Sequence, residues 1–170
     1  MLCYLLFIFL LTKSVESLDR VVVDGVRLVR IVSSTNPSKV ISVNHGTGTV
    51  VLADLNHNDN YQVWELSYAM GRLRDSSGLF AYSLKNFETQ TYLHHGMSPG
   101  EVIITQYFEI PDSDLLWNSG TEDVRGGYYV IRATTNVYLS LSIKKPNSIT
   151  VEVGQKRADQ LWKFVEVNLD

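Results

Sequence analysis

The residues that could do chemistry fall into two polar clusters. In one, His94 and His95 are followed by Gln106-Tyr107-Phe108 and then by Asp112 and Asp114. In the other, Asn44 and His45 precede the run His57-Asn58-Asp59-Asn60-Tyr61. A carboxylate makes charge-assisted hydrogen bonds to hydroxyl groups, and an aromatic ring covers an apolar face, so either cluster suits a saccharide or a peptide. His94, Tyr107, Asp112 and Asp114 are the leading candidate ligand-binding residues, with Asn44, Asp59 and Tyr61 as the second set. Loops rich in Asn, Asp and His are also the ordinary composition of a solvated surface.

Other chemistries lack their residue patterns. Adjacent His94 and His95 in a strand would project to opposite faces, so they do not share one metal ion. The sequence contains no nucleophile elbow, phosphate-binding loop or metal-spaced motif. The acidic pairs Asp112/Asp114 and Glu152/Asp159 read as loop charges. The residues therefore point to a binding protein and not an enzyme, with no metal and no cofactor implied. With 15 Lys+Arg against 18 Asp+Glu and a net charge of −3, the chain lacks the basic character of a nucleic-acid binder. Its 45% hydrophobic content excludes a disordered chain, which could not bury enough surface to offset its ordering entropy.

These residues must be positioned by strands. Short β-branched and aromatic runs, at residues 26–33, 50–54, 101–107, 128–133 and 149–153, alternate with turn chemistry. The turns are Asn44-His45-Gly46-Thr47-Gly48, Met97-Ser98-Pro99-Gly100 and Lys144-Lys145-Pro146-Asn147. No long segment shows sustained helical spacing of apolar residues, so the body is all-β, a sandwich or a barrel. A repeat decides between them. Trp64, Trp117 and Trp162 close similar phrases, Gln62-Val63-Trp64, Leu115-Leu116-Trp117 and Gln160-Leu161-Trp162. Asn36, Asn86 and Asn136 recur at equal steps after comparable strands at 28–33, 79–84 and 128–133. Each asparagine precedes an apolar phrase, Val40-Ile41-Ser42-Val43, Tyr92-Leu93-His94 or Tyr138-Leu139-Ser140-Leu141, and Gly78 and Gly126-Gly127 mark the joints. Four strands in each of three repeats, at about residues 26–67, 78–119 and 126–167, describe a β-trefoil with pseudo-three-fold symmetry. A seven-stranded sandwich gives no reason for the tryptophan rhythm. The three tryptophans are expected to meet in the shared core.

The repeats resemble the ricin-type β-trefoil family, whose mark is a Gln-x-Trp motif near the end of each repeat. The first and third repeats carry it complete, and the second has Leu115 in place of the glutamine. The resemblance covers about residues 26–167. It implies a lectin-like module with a shallow sugar pocket on each repeat. Such a pocket is built from an Asp on the second strand, an aromatic residue on the third and an Asn before the motif glutamine. Matched residue by residue, the Asp position falls on Ser42, His94 and Ser140. The aromatic position falls on Ala53, Thr105 and Glu152, and the Asn position on Tyr61, Asp114 and Asp159. No repeat keeps the full set, so any carbohydrate or glycoconjugate would be recognised through a non-standard site. Gln62 and Gln160 are expected to bind backbone groups of the adjoining loop and not a ligand.

The N-terminus reads as a secretory signal. Residues 2–11 form an apolar run too short to cross a bilayer, and Val15 with Ser17 gives a small-residue cleavage pattern. Cleavage after Ser17 would leave residues 18–170 as a secreted single domain, with no membrane span and no cysteine, since Cys3 would leave with the signal. Neither Asn118-Ser119-Gly120 nor Asn147-Ser148-Ile149 is a glycosylation sequon. A second class stands beside the glycan binder: a secreted trefoil that binds protein, as a protease inhibitor or receptor ligand, through loops such as 66–77 or 109–114.

Overall fold

The structure is a computed structural model that describes residues 25–69, 78–95, 98–100, 103–107, 113–119, 126–135, 138–144 and 147–168. The expected signal segment, Asp112 and Asn136 lie outside these residues. The first repeat holds β1 (Arg27–Ser33), β2 (Lys39–Val43), β3 (Val50–Asp54) and β4 (Trp64–Ser67). The second holds β5 (Tyr82–Asn86), β6 (Tyr92–His94), β7 (Ile104–Gln106) and β8 (Leu116–Ser119). The third holds β9 (Tyr129–Ala133), β10 (Leu139–Lys144), β11 (Ser148–Val153) and β12 (Leu161–Glu166).

The outer strands of each repeat close a ring. Within repeats, β1 pairs with β4, β5 with β8 and β9 with β12, all antiparallel. Between repeats, β4 pairs with β5, β8 with β9 and β12 with β1. A six-stranded barrel results, and closure leaves no barrel strand with an unpaired edge. The inner strands form the hairpins β2–β3, β6–β7 and β10–β11 that cap one end. The architecture is an all-β trefoil.

The hairpins meet on the pseudo-three-fold axis. Val50 N donates to Ile103 O at 3.0 Å, Ile103 N donates to Ile149 O at 2.9 Å, and Ser148 pairs with Val51 to complete the circuit. Val50, Ile103 and Ile149 are each fully buried. Trp64, Trp117 and Trp162 are at most 1% exposed and join one continuous core with Ile31, Leu66, Leu84 and Ile131. Each indole is also pinned: Nε1 of Trp64 donates to Ile41 O at 3.2 Å, Trp117 to Leu93 O at 3.0 Å and Trp162 to Leu141 O at 3.0 Å. A buried indole N–H needs a partner, and the same carbonyl position supplies it in every repeat.

The ladders revise two expectations. Across the joints, Ser33 pairs with Trp162, Asn86 with Trp64 and Ala133 with Trp117. Asn86 is therefore the counterpart of Ser33 and Ala133, and its equal spacing from Asn36 is not a structural equivalence. Asn86 is instead a fully buried strap whose Nδ2 donates to Tyr61 O at 2.9 Å and Val63 O at 3.2 Å. The first strand of the second repeat accordingly runs over Tyr82–Asn86 and not 79–84.

Candidate functional site

The motif glutamines hold loops. Gln62 is 2% exposed; its Oε1 accepts from Asn56 N at 2.9 Å and its Nε2 donates to Asp54 O at 2.8 Å. Gln160 is fully buried; it accepts from Gln155 N and donates to Val153 O, both at 2.9 Å. Both amides are thus consumed by the backbone between the third and fourth strands of their repeats. Leu115 takes the corresponding place in the second repeat and is also fully buried.

The indole bonds fix the register of the three hairpins. Because Ile41, Leu93 and Leu141 accept them, the residues that follow, Ser42, His94 and Ser142, are equivalent. The sequence placed Ser140 at this position; the ladder moves it by two residues. Opposite Ile41, Leu93 and Leu141 stand Leu52, Thr105 and Val151, so Ala53, Gln106 and Glu152 are the next equivalent set. Gln106 replaces Thr105 there. Tyr61, Asp114 and Asp159 are each the middle residue of a short 3-10 turn, Asn60–Gln62, Ser113–Leu115 and Ala158–Gln160, and keep their assignment.

The first repeat brings together the second candidate set. Asn44 opens the β2–β3 turn, its Oδ1 accepting from Gly46 N at 3.0 Å. Gly48 closes that turn at φ +68°, a conformation that favours glycine. The turn carries the exposed His45 back over Tyr61, with ring centroids 3.7 Å apart and planes inclined by 18°. Asp59 caps the 3-10 turn by accepting from Tyr61 N at 3.0 Å, and the same Oδ1 lies 3.9 Å from His45 Nε2. An imidazole, a phenol, a carboxylate and an amide thus share one surface.

The second repeat places its described residues along β6. His95 is fully buried, with its ring edge-on to Trp117 at 5.2 Å, while the preceding His94 is partly exposed. His95 N donates to Asp114 O at 3.1 Å, which holds the 3-10 turn of Asp114 against the end of β6 near His94. Tyr107 is 72% exposed and follows Gln106, the residue paired with Tyr92 across the β6–β7 hairpin. Burial, with Glu65 and Tyr107 nearby, pushes the Tyr92 hydroxyl above the ordinary phenol value. Asp112 and parts of both candidate protein-binding loops are outside the described residues. Among the described residues no cluster of three or more His, Cys, Asp or Glu could hold a metal ion.

The third repeat contains a carboxylate that the sequence did not single out as a site. Ser142 Oγ donates to Asp159 Oδ2 at 3.0 Å, and Arg157 binds the same carboxylate with both Nε and Nη2 at 3.0 Å. The hydrogen bonds from Arg157, aided by Ser142, hold the Asp159 carboxyl below its usual range against the opposing effect of burial. This carboxylate sits on the 3-10 turn Ala158–Gln160 and not on the second strand. The Arg157-Ala158-Asp159 spacing was the available signal; the misplaced Ser140 concealed it.

The geometry defines a β-trefoil whose three hairpins carry different side chains at equivalent positions. No family model matches the chain. A ricin B-like lectin of Oryza sativa subsp. japonica is 28% identical over 142 residues, covering 81% of this chain and 68% of the relative. A second rice ricin B-like lectin is 27% identical over 145 residues, covering 83% of this chain, which spans only 41% of that longer relative. Among solved structures, a mosquitocidal holotoxin superposes with a TM-score of 0.69 at 20% identity, over 86% of this chain and 17% of the toxin. The designed three-fold symmetric protein ThreeFoil matches with a TM-score of 0.67 at 16% identity, over 82% and 99% of the two chains. The Macrolepiota procera ricin B-like lectin in complex with lactose matches with a TM-score of 0.65 at 11% identity, over 84% and 96%. The chain is a divergent relative of the ricin B-like β-trefoil lectins.

Proposed function

We propose that the chain is a carbohydrate-binding module without enzymatic activity, exported through its N-terminal apolar segment, and that its first repeat carries the binding surface. The observation that carries this reading is the exposed imidazole of His45 stacked at 3.7 Å on Tyr61, with Asp59 alongside at 3.9 Å. The ring pair offers a flat platform for the C–H face of a sugar, and the Asp59 carboxylate and Asn44 amide offer polar partners for its hydroxyls. This surface replaces the family's Asp and aromatic positions, which are Ser42 and Ala53 here. The ricin B-like relatives and the lactose complex of the Macrolepiota procera lectin support the ligand class.

The test is a glycan array probed with the purified chain, followed by titration of the best ligand against H45A and D59N. H45A is expected to weaken binding at least tenfold, since it removes the exposed half of the platform. D59N keeps the cap acceptor but loses the charge, and is expected to weaken binding severalfold. A silent array at high protein concentration would sink the carbohydrate reading. Full binding by H45A would move the site to the second repeat, where His94, Tyr107, Asp112 and Asp114 remain the proposal. N-terminal sequencing of protein recovered from the medium should begin at Leu18; an intact Met1 there would refute cleavage.

A further inference from the structure

Away from the hairpin pockets, β1 and β12 frame a groove of about 570 Å³ lined by Arg30, Val32, Leu55, Tyr128, Lys163 and Val165. The antiparallel register sets Arg30 opposite Val165 and Val32 opposite Lys163, so the two cations lie diagonally across a largely apolar surface. Lys163 Nζ stands 5.9 Å over the Tyr128 ring, which keeps the ammonium at the groove.

Arg30 is the unusual member. It is only 7% exposed, and its one hydrogen bond among the described residues runs from Nη2 to His57 O at 2.8 Å. Its buried Nε has no partner. A guanidinium has five N–H donors in a planar fork, and a buried donor such as this Nε is costly to leave unpaired unless something else meets it. Burial lowers its proton affinity, and the nearby Asp59 charge works against that effect. The acid on the groove, Glu166, is engaged by Arg27 at 3.3 Å.

We propose that this groove is a second ligand site, separate from the hairpin pockets, that takes a small organic carboxylate. The carboxyl group meets Arg30 and Lys163, and the body of the ligand lies on Val32, Leu55 and Tyr128. The volume falls in the range of small-molecule pockets. A monoanion fits better than a phosphate dianion because Glu166 shares the rim. An acidic sugar residue and an aryl or alkyl acid share this chemistry.

The experiment titrates the full chain, by ligand-observed NMR and calorimetry, with N-acetylneuraminic acid, glucuronic acid and phenylacetate, each beside its methyl ester. At least one acid should bind with its ester weaker by about tenfold, the worth of one charge-assisted contact. The acid that binds identifies the source. K163Q should weaken that acid severalfold and flatten its salt dependence. V165W should abolish binding by filling the groove while leaving the thermal midpoint in place, since Val165 is 43% exposed. V165W should also leave the array ligands of the first repeat unaffected, which separates failure of this site from failure of the carbohydrate reading. The proposal is overturned if no acid binds at millimolar concentration, if esters bind as well as acids, or if V165W binds like the parent chain.

Discussion

At the scale of single residues, the hydrogen-bond partners of Gln62 and Asp159 separate structural groups from groups available to a ligand. Gln62 spends its amide on Asn56 N and Asp54 O, so Q62A would leave two backbone groups with reduced satisfaction in a site 2% exposed. The expected cost is about 2 kcal/mol, read as a lower urea midpoint with unchanged slope. A cost near zero would mean that the glutamine is not holding this loop. Asp159 carries a pH dependence. Its carboxyl is held below the usual range in the folded chain, chiefly by Arg157, so its stabilisation is complete above the unfolded value. That stabilisation is lost as the pH falls below about 4. D159N should therefore flatten the acid side of a plot of urea midpoint against pH. R157Q should flatten it too, since the depression comes first from that side chain. An unchanged acid limb in both variants would assign the acid sensitivity elsewhere.

At the scale of elements, the strands were legible and their register was not. Turn residues punctuate the β-branched runs, and the strands in those runs form where the pattern puts them, most faithfully β3 at Val50–Asp54, whereas β5, with no β-branched residue, lies at Tyr82–Asn86 and not at 79–84. Register fails for a geometric reason. A one-residue slip turns a strand inside out, but a two-residue slip preserves which side chains face inward. Leu139, Ser140, Leu141 and Ser142 alternate with period two and are all buried, so nothing in the sequence separates Ser140 from Ser142. The indole of Trp162, reaching Leu141 O, and the Ser142 hydroxyl on Asp159 distinguish them. The same ambiguity hid Arg157, Ser142 and Asp159 as a unit. Arg30 and Lys163 come together only through pairing of the first strand with the last, and no local pattern announces that pairing. The hairpin caps give a graded test. I149A empties a fully buried position that all three caps share and should cost about 3 kcal/mol. G48A would place its Cβ in ordinary van der Waals contact with Thr105 Oγ1 at 3.8 Å, and only its φ of +68° opposes it. It should cost about 1 kcal/mol. If G48A costs as much as I149A, the axial core is not what holds the caps.

At the scale of the whole molecule, stability follows from closure. β1 is zipped to β12 over five residue pairs, Val29 with Glu166 through Ser33 with Trp162, and to β4 on its other side. No repeat can bury its tryptophan alone, because each Trp pairs with a strand of the next repeat: Trp64 with Asn86, Trp117 with Ala133 and Trp162 with Ser33. The three repeats should therefore unfold together, with tryptophan fluorescence and far-ultraviolet circular dichroism giving coincident midpoints. The only cysteine is Cys3, outside the described residues, so reductant should not move that midpoint. A chain truncated after Gln160 provides the sharpest case. It keeps two complete repeats and most of the third, but loses β12 and with it the partner of both β1 and β9. Two barrel edges open, Trp162 is gone from the core, and the inner faces of Val29, Ile31 and Val130 meet water. Loss of folding is the expected result, seen as absent cooperative melting and aggregation on refolding. A truncated chain that melted cooperatively would show the first two repeats to be a folding unit, and the ring of tryptophans would then be a symmetry of packing without being a condition of stability.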